Sequence, residues 1–206
     1  MEEASDTQDV RTGDDNRILD GAALKALAHP LRVQLLEVLS SYGPQTACSI
    51  GKRVGESSGS TSYHLRQLAR HGLVREVPDR GSARERWWER PSGSLTLSTP
   101  ELEQDPTTRE ATRQVNRQFE RGRSEALATF MASGCESVPP EWADAAVIAT
   151  MNAYLTPAQL AALTRDMSTI LREKLDAYRS EPGTPGTRPV QVHFNAFPLI
   201  DPQESS

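Results

Sequence analysis

The apolar positions in the first third of the chain recur mostly at steps of three and four. Leu24, Leu27, Ala28, Leu31, Leu35 and Leu39 form one such series, the spacing of a single face of an α-helix. His29-Pro30 interrupts it. Proline is tolerated in a first helical turn and disfavours helix in the residue before it. The pattern therefore predicts a short helix ending near Ala28 and a second over residues 30–41, stopped by Gly43-Pro44. Thr46 is placed to cap a third helix with Ile50 and Val54 inward, and Gly55 to end it in a left-handed turn. Ser57 can cap a fourth over residues 58–71, with Thr61, Leu65, Leu68 and Ala69 inward and Gly72 as its stop. Leu73–Val77, the turn Asp79-Arg80-Gly81-Ser82 and Arg84–Glu89 then read as a β-hairpin with a basic tip.

Beyond Pro91 the pattern changes. Residues 92–104 read as a linker. Asp105-Pro106 pairs a good N-cap with proline at the first helical position, and a long helix runs from there to about Ser133. Its apolar side is Ala111, Val115, Phe119, Ala126 and Phe130. This stripe fits a dimer seam, or packing within one chain on the C-terminal part. Pro139-Pro140 separates the helix from Ala145–Tyr154, which is compatible with a strand or an alanine-rich helix. Thr156 and Gln159 have the spacing of a capping box. They open a helix to about Tyr178 with Leu160, Leu163, Met167, Ile170 and Leu171 inward. Pro189–Pro198 alternates apolar and polar residues and reads as a strand.

These elements make a chain that is mainly α with a small β component. The expected organisation is a disordered acidic tail over residues 1–17, a winged helix-turn-helix DNA-binding domain over 18–91, the linker 92–104, a helical dimerisation or effector region with a short β element over 105–199, and a tail over 200–206. Helix, tight turn, second helix and basic hairpin is the layout of a domain that lays one helix in a DNA major groove.

Charge sharpens this reading. The chain of 206 residues carries a formal net charge of −5, which by itself argues against nucleic acid. Residues 20–90, however, hold eleven Lys and Arg against seven Asp and Glu, while the segments on either side are acidic. Phosphate contacts respond to local charge. Only Lys25, Lys52 and Lys174 of the 23 basic residues are lysine, a weak hint of a GC-rich bacterial genome. No segment is apolar enough to span a membrane or act as a secretory signal. Cys48 and Cys135 stand far apart, with no disulfide or metal spacing. A cytoplasmic protein without metal or other cofactor is expected, its two thiols small buried side chains.

The stretch LKALAHPLRVQLLEVL, followed by STSYHLRQLARHGLV and an arginine-rich hairpin, resembles the ArsR-type winged-helix family of bacterial transcription regulators. The A-H-P-L-R run, the S-x-H-L-x-x-L core of the second helix and the G-L-V after it carry the likeness, over about residues 20–90. It implies a homodimer, operator DNA as target, and usually repression relieved by an effector.

Read from the residues, Ser58, Ser60, Ser62 and Tyr63 sit on the first two turns of the recognition helix, outside its inward set, where hydroxyls reach base edges or phosphates. Arg66 lies one turn on. Arg80 and Arg84 stand at the hairpin tip, within reach of DNA backbone or minor groove, and Arg86 lies deeper. His64 is expected to be structural, satisfied by a neighbouring backbone group. Cys48 lies near the position where metal-sensing relatives carry paired cysteines, but here it stands alone in A-C-S, short of ligands for a thiolate site. Of Trp87 and Trp88, which point to opposite faces of a strand, one should be core and the other cover the long helix. A winged helix used for protein contacts without DNA is the alternative function. No P-loop or H-E-x-x-H is present, and no G-x-S-x-G or dinucleotide-binding glycine motif stands in a strand–helix context, so an enzyme is not expected.

Overall fold

The computed structural model describes residues 16–78, 80, 85–91, 93–96, 102 and 104–200. Within them the helices begin where capping side chains stand. Helix α1 is Gly21–Leu27, its first turn closed by the Asp20 carboxylate, which accepts from Ala23 N–H at 2.7 Å. Helix α2 is Pro30–Tyr42. Thr46 accepts from Ser49 N–H to start α3, Ala47–Val54, and Gly55 ends it with φ 74°. Ser57 accepts from Ser60 N–H to start α4, Ser58–Arg70. Each cap answers one of the backbone donors that a helix N-terminus leaves unpaired.

The apolar series of α1, α2 and α4 meet in one core. Leu24, Leu27, Leu35, Leu36, Ile50, Leu65, Leu68 and Val33 are fully buried. Helix α4 packs on α1, α2 and α3. A three-stranded antiparallel sheet closes one side, in the order Gln45–Thr46 (β2), Trp87–Glu89 (β4), Arg75–Glu76 (β3). The hairpin strands are shorter than predicted, with Val77 N–H still donating to the Trp87 carbonyl. Strand β2 is an addition: Gln45 and the α3 cap Thr46 pair with Trp88 and Trp87. Trp88 is the core tryptophan. The hairpin turn at Asp79, Gly81 and Ser82 lies outside the described residues.

Two further strands fall in stretches read as tail and linker. Asn16–Ile18 (β1) and Ser94–Thr96 (β5) pair in parallel. Leu19, directly after β1, is buried, and Leu95 packs against the core. One anchoring leucine on each side holds backbones that three-residue strands could not hold alone.

Helix α5, Pro106–Ser137, opens as predicted at Asp105, whose carboxylate accepts from Thr107 N–H at 3.0 Å. That hydrogen bond holds the Asp105 pKa below the ordinary carboxylate value. Of the stripe read as a dimer seam or as packing on the C-terminal part, Ala111 and Val115 are instead buried in the same core as α1 and α2, with Phe119 packed against it. Thr112 donates to the Thr108 carbonyl, so its burial leaves no unmet hydroxyl.

The chain divides into two compact units within α5, Met1–Gly122 and Arg123–Ser206. The second unit holds the end of α5, the short helix α6 (Pro140–Asp144) and α7 (Pro157–Tyr178). The capping box forms as expected: Thr156 accepts from Gln159 N–H, and Gln159 Oε1 accepts from Thr156 N–H. The inward set of α7 is not buried: Leu163 is 43% and Ile170 49% exposed. Ala126 of α5 is likewise exposed. Ala145–Tyr154 is neither strand nor helix, and Pro189–Pro198 forms no strand. Alternation makes a strand only where an edge is available to pair with, and the described residues of this unit contain no other strand.

The approach of α3 to α4 is set at Gly51. A methyl group there would lie 2.6 Å from the Glu56 carbonyl oxygen and 3.0 Å from Thr61 Oγ1. Gly59, on α4, has nothing nearer than Ser57 Oγ at 3.9 Å. Alanine at either site gains about 1 kcal/mol of helix propensity, but at Gly51 it must displace backbone. Gly51→Ala is expected to destabilise the protein by about 1–3 kcal/mol, whereas Gly59→Ala raises stability slightly. Urea unfolding of the two variants checks the opposite signs.

Candidate nucleic-acid interface

Helix α4 buries Thr61, Leu65 and Leu68. The row opposite them, at steps of four, three and four, is Gly59, Tyr63, Arg66 and Arg70, and all four are exposed. Tyr63 is 51% exposed although it is the largest side chain of the row. Ser58 is exposed at the first helical position. Ser60 and Ser62 are half-buried on the two flanks of the row. The structure thus brings Tyr63 and Arg66 to the centre of one solvent-facing surface and sets the serines around it.

Arg70 was not singled out from the sequence, yet it extends the row by one turn and hydrogen-bonds Gln67 Oε1 at 3.3 Å. Its spacing from Arg66 was the available signal. Thr61 shows why the inner face is quiet: its hydroxyl donates to the Ser57 carbonyl at 2.9 Å, satisfied within its own helix.

His64 sits between the two faces and is satisfied differently from expectation. Its Nδ1 accepts from Arg32 Nε at 3.2 Å, and no backbone group is its partner in that bond. Arg32 also donates through its terminal nitrogen to the Ala26 carbonyl at 2.6 Å. The arginine of the H-P-L-R run therefore straps α1 and α2 to the recognition helix. The His29 ring lies 4.5 Å from the His64 ring, and Tyr63 meets it edge-on at 5.1 Å. Desolvation, then the positive neighbours His29 and Arg32, hold the His64 pKa below the ordinary imidazole value of 6.5, with Glu56 opposing them.

In the hairpin, Arg80 is exposed and its guanidinium carbon stands 4.2 Å from the centre of the half-buried Trp87 ring. Trp87 is thus met by an arginine. Arg86 pairs with Glu76 at 2.7 Å and Arg75 with Glu89 at 2.6 Å. Arg84 lies outside the described residues. Cys48 is exposed, not buried; position 48 is on the outer side of the first turn of α3, away from the inward Ile50. The side chain of Cys135 lies outside the described residues. Among the described residues no three His, Cys, Asp or Glu stand together as a metal site, and no helix is long and apolar enough to cross a membrane.

Residues 27–77 match the family model of a helix-turn-helix domain, which takes in α2, α3, α4 and β3. This part of the chain is a helix-turn-helix domain, and its small antiparallel sheet gives it the winged form. The chain is similar to a solved transcriptional regulator of Thermotoga maritima, at 11% identity over 75% of this chain and 87% of that one, with a TM-score of 0.30. It is similar also to wild-type MarR of E. coli in its apo form, at 13% identity over 72% of this chain and 85% of that one, with a TM-score of 0.29. Scores this low add nothing to what residues 27–77 establish. No curated protein matches the chain.

The Arg32–His64 bond requires neutral His64, because a protonated ring has no lone pair at Nδ1 to accept with. A lowered folded pKa means that the unfolded chain binds more protons below 6.5. The contribution is complete above that value and is lost as pH falls through it toward the folded pKa. The melting temperature should drop as pH is lowered through 6.5 toward the folded pKa, and His64→Gln should flatten the drop. An equal drop in the variant would assign it to other groups.

Proposed function

We propose that this protein is a sequence-specific, DNA-binding transcription regulator that acts as a homodimer and represses its target genes from the cytoplasm. The observation that carries the reading is the outward row of α4. A solvated tyrosine and two arginines, flanked by serines, stand opposite a fully buried face, on the helix that a helix-turn-helix domain inserts into the major groove. Ser58, Ser60, Ser62, Tyr63 and Arg66 are the proposed base and phosphate contacts of that helix, with Arg80 and Arg84 contacting DNA from the wing. Arg70 joins them as a backbone contact at the far end of the row. The A-H-P-L-R and S-x-H-L residues support an ArsR-type regulator, and repression follows from that type. The dimer is supported by α7, where Leu163 and Ile170 are exposed and offer a partner part of an amphipathic face.

A dimer of such domains reads an inverted repeat. The test is a gel-shift series across salt concentrations with the DNA flanking the protein's own gene. Binding should weaken steeply with salt, because Arg66, Arg70 and Arg80 displace counterions. Arg66→Ala should cost about 1–3 kcal/mol of binding and leave the circular dichroism unchanged. Failure to bind any genomic fragment would leave the interaction module as the function of this domain.

A further inference from the structure

The hairpin carries several arginines, but they are not equivalent. Arg75 and Arg86 each face a carboxylate across the sheet, at 2.6 and 2.7 Å. Those pairs join the residues around β3 to those around β4 and cancel the charge they involve. Arg90 donates to the Gly93 carbonyl at 2.6 Å and is turned toward β5. Arg80 has a partner of another kind: its guanidinium lies over the Trp87 ring, which is neutral. An aromatic face attracts a guanidinium through its quadrupole without neutralising it, and the ring uses none of the five N–H donors. The contact thus restricts a long side chain without itself drawing on its charge or its donors.

We propose that Trp87 is a positioning residue for DNA binding, and that its indole face holds the Arg80 guanidinium ready to take a phosphate oxygen beside the recognition helix. The proposal rests on the DNA-binding reading above. Trp87 suits the task because β4 is held on both sides: it pairs with β2 at Thr46 and Gln45, and with β3 at Arg75 and Glu76. Its neighbour Trp88 is locked in the core. The platform is therefore held from both sides of its strand. A free arginine loses rotamer entropy when it takes a phosphate, and one already stacked has lost part of it beforehand.

The test is a double-mutant cycle on salt-dependent binding to the flanking DNA. Arg80→Ala should lower affinity several-fold and reduce the slope of log affinity on log salt by about one. Trp87→Leu, with Arg80 present, should lower affinity in the same direction. In the Arg80→Ala background Trp87→Leu should cost nothing further. Trp87→Phe keeps a ring with a weaker attraction for cations and should give an intermediate loss that also vanishes on Arg80→Ala. If Trp87→Leu does not fold, the Phe variant carries the cycle alone. Equal losses from the Trp87 variants with and without Arg80 would show that Trp87 acts only through the fold, and an unchanged slope in Arg80→Ala would remove Arg80 from the interface. Either result overturns the proposal. A wild-type protein that binds no DNA instead overturns the functional reading on which it rests.

Discussion

The outward face of α4 depends on the grip on its inward face. A helix of 13 residues is marginal in water on its own. Leu65 and Leu68 are fully buried, and their contact with α1, α2 and α3 is what makes the segment a helix at all. Burying two leucines stabilises by about 3–6 kcal/mol on area grounds, more than the outward polar residues could contribute by local pairing. The Arg32 strap adds direction to this grip. It joins the Ala26 carbonyl to the His64 ring, so the helix is restrained against rotation as well as against departure. The polar row is aimed because the apolar one is immobilised.

What was legible in the sequence was mostly what is local. Caps at Thr46, Ser57 and Thr156 act on backbone groups two or three residues away, and each formed as read. Gly43, Gly55 and Gly72 all adopt positive φ at the stops assigned to them. The first four helices follow because their apolar spacing and their punctuation agree. The small sheet was only partly legible, since strands of two or three residues take their identity from a partner: β2 exists because β4 passes beside it. Pro189–Pro198 shows the converse, an alternating pattern in a unit whose described residues contain no strand.

The misread site residues have the same origin. Arg32 and His64 are 32 positions apart, and nothing in the spacing of either announces the other. Cys48 looked like a buried thiol by residue type, but the helical phase set by Ile50 turns position 48 outward. Tyr63 and Arg66 were legible because the inward set of α4 defines their side by subtraction. The same subtraction misled on α7, where the apolar stripe is real but Leu163 and Ile170 remain exposed.

Gly51 separates what can change in this domain from what cannot. The missing side chain at that position leaves room for the Glu56 carbonyl and the Thr61 hydroxyl to stand against α3. The positions that face outward, 59, 63, 66 and 70, touch none of this. They can be exchanged without repacking the core, so the surface this helix presents is free to drift over generations while its architecture is inherited intact. One absent carbon atom keeps the scaffold constant, and the lettering on its surface stays open to revision.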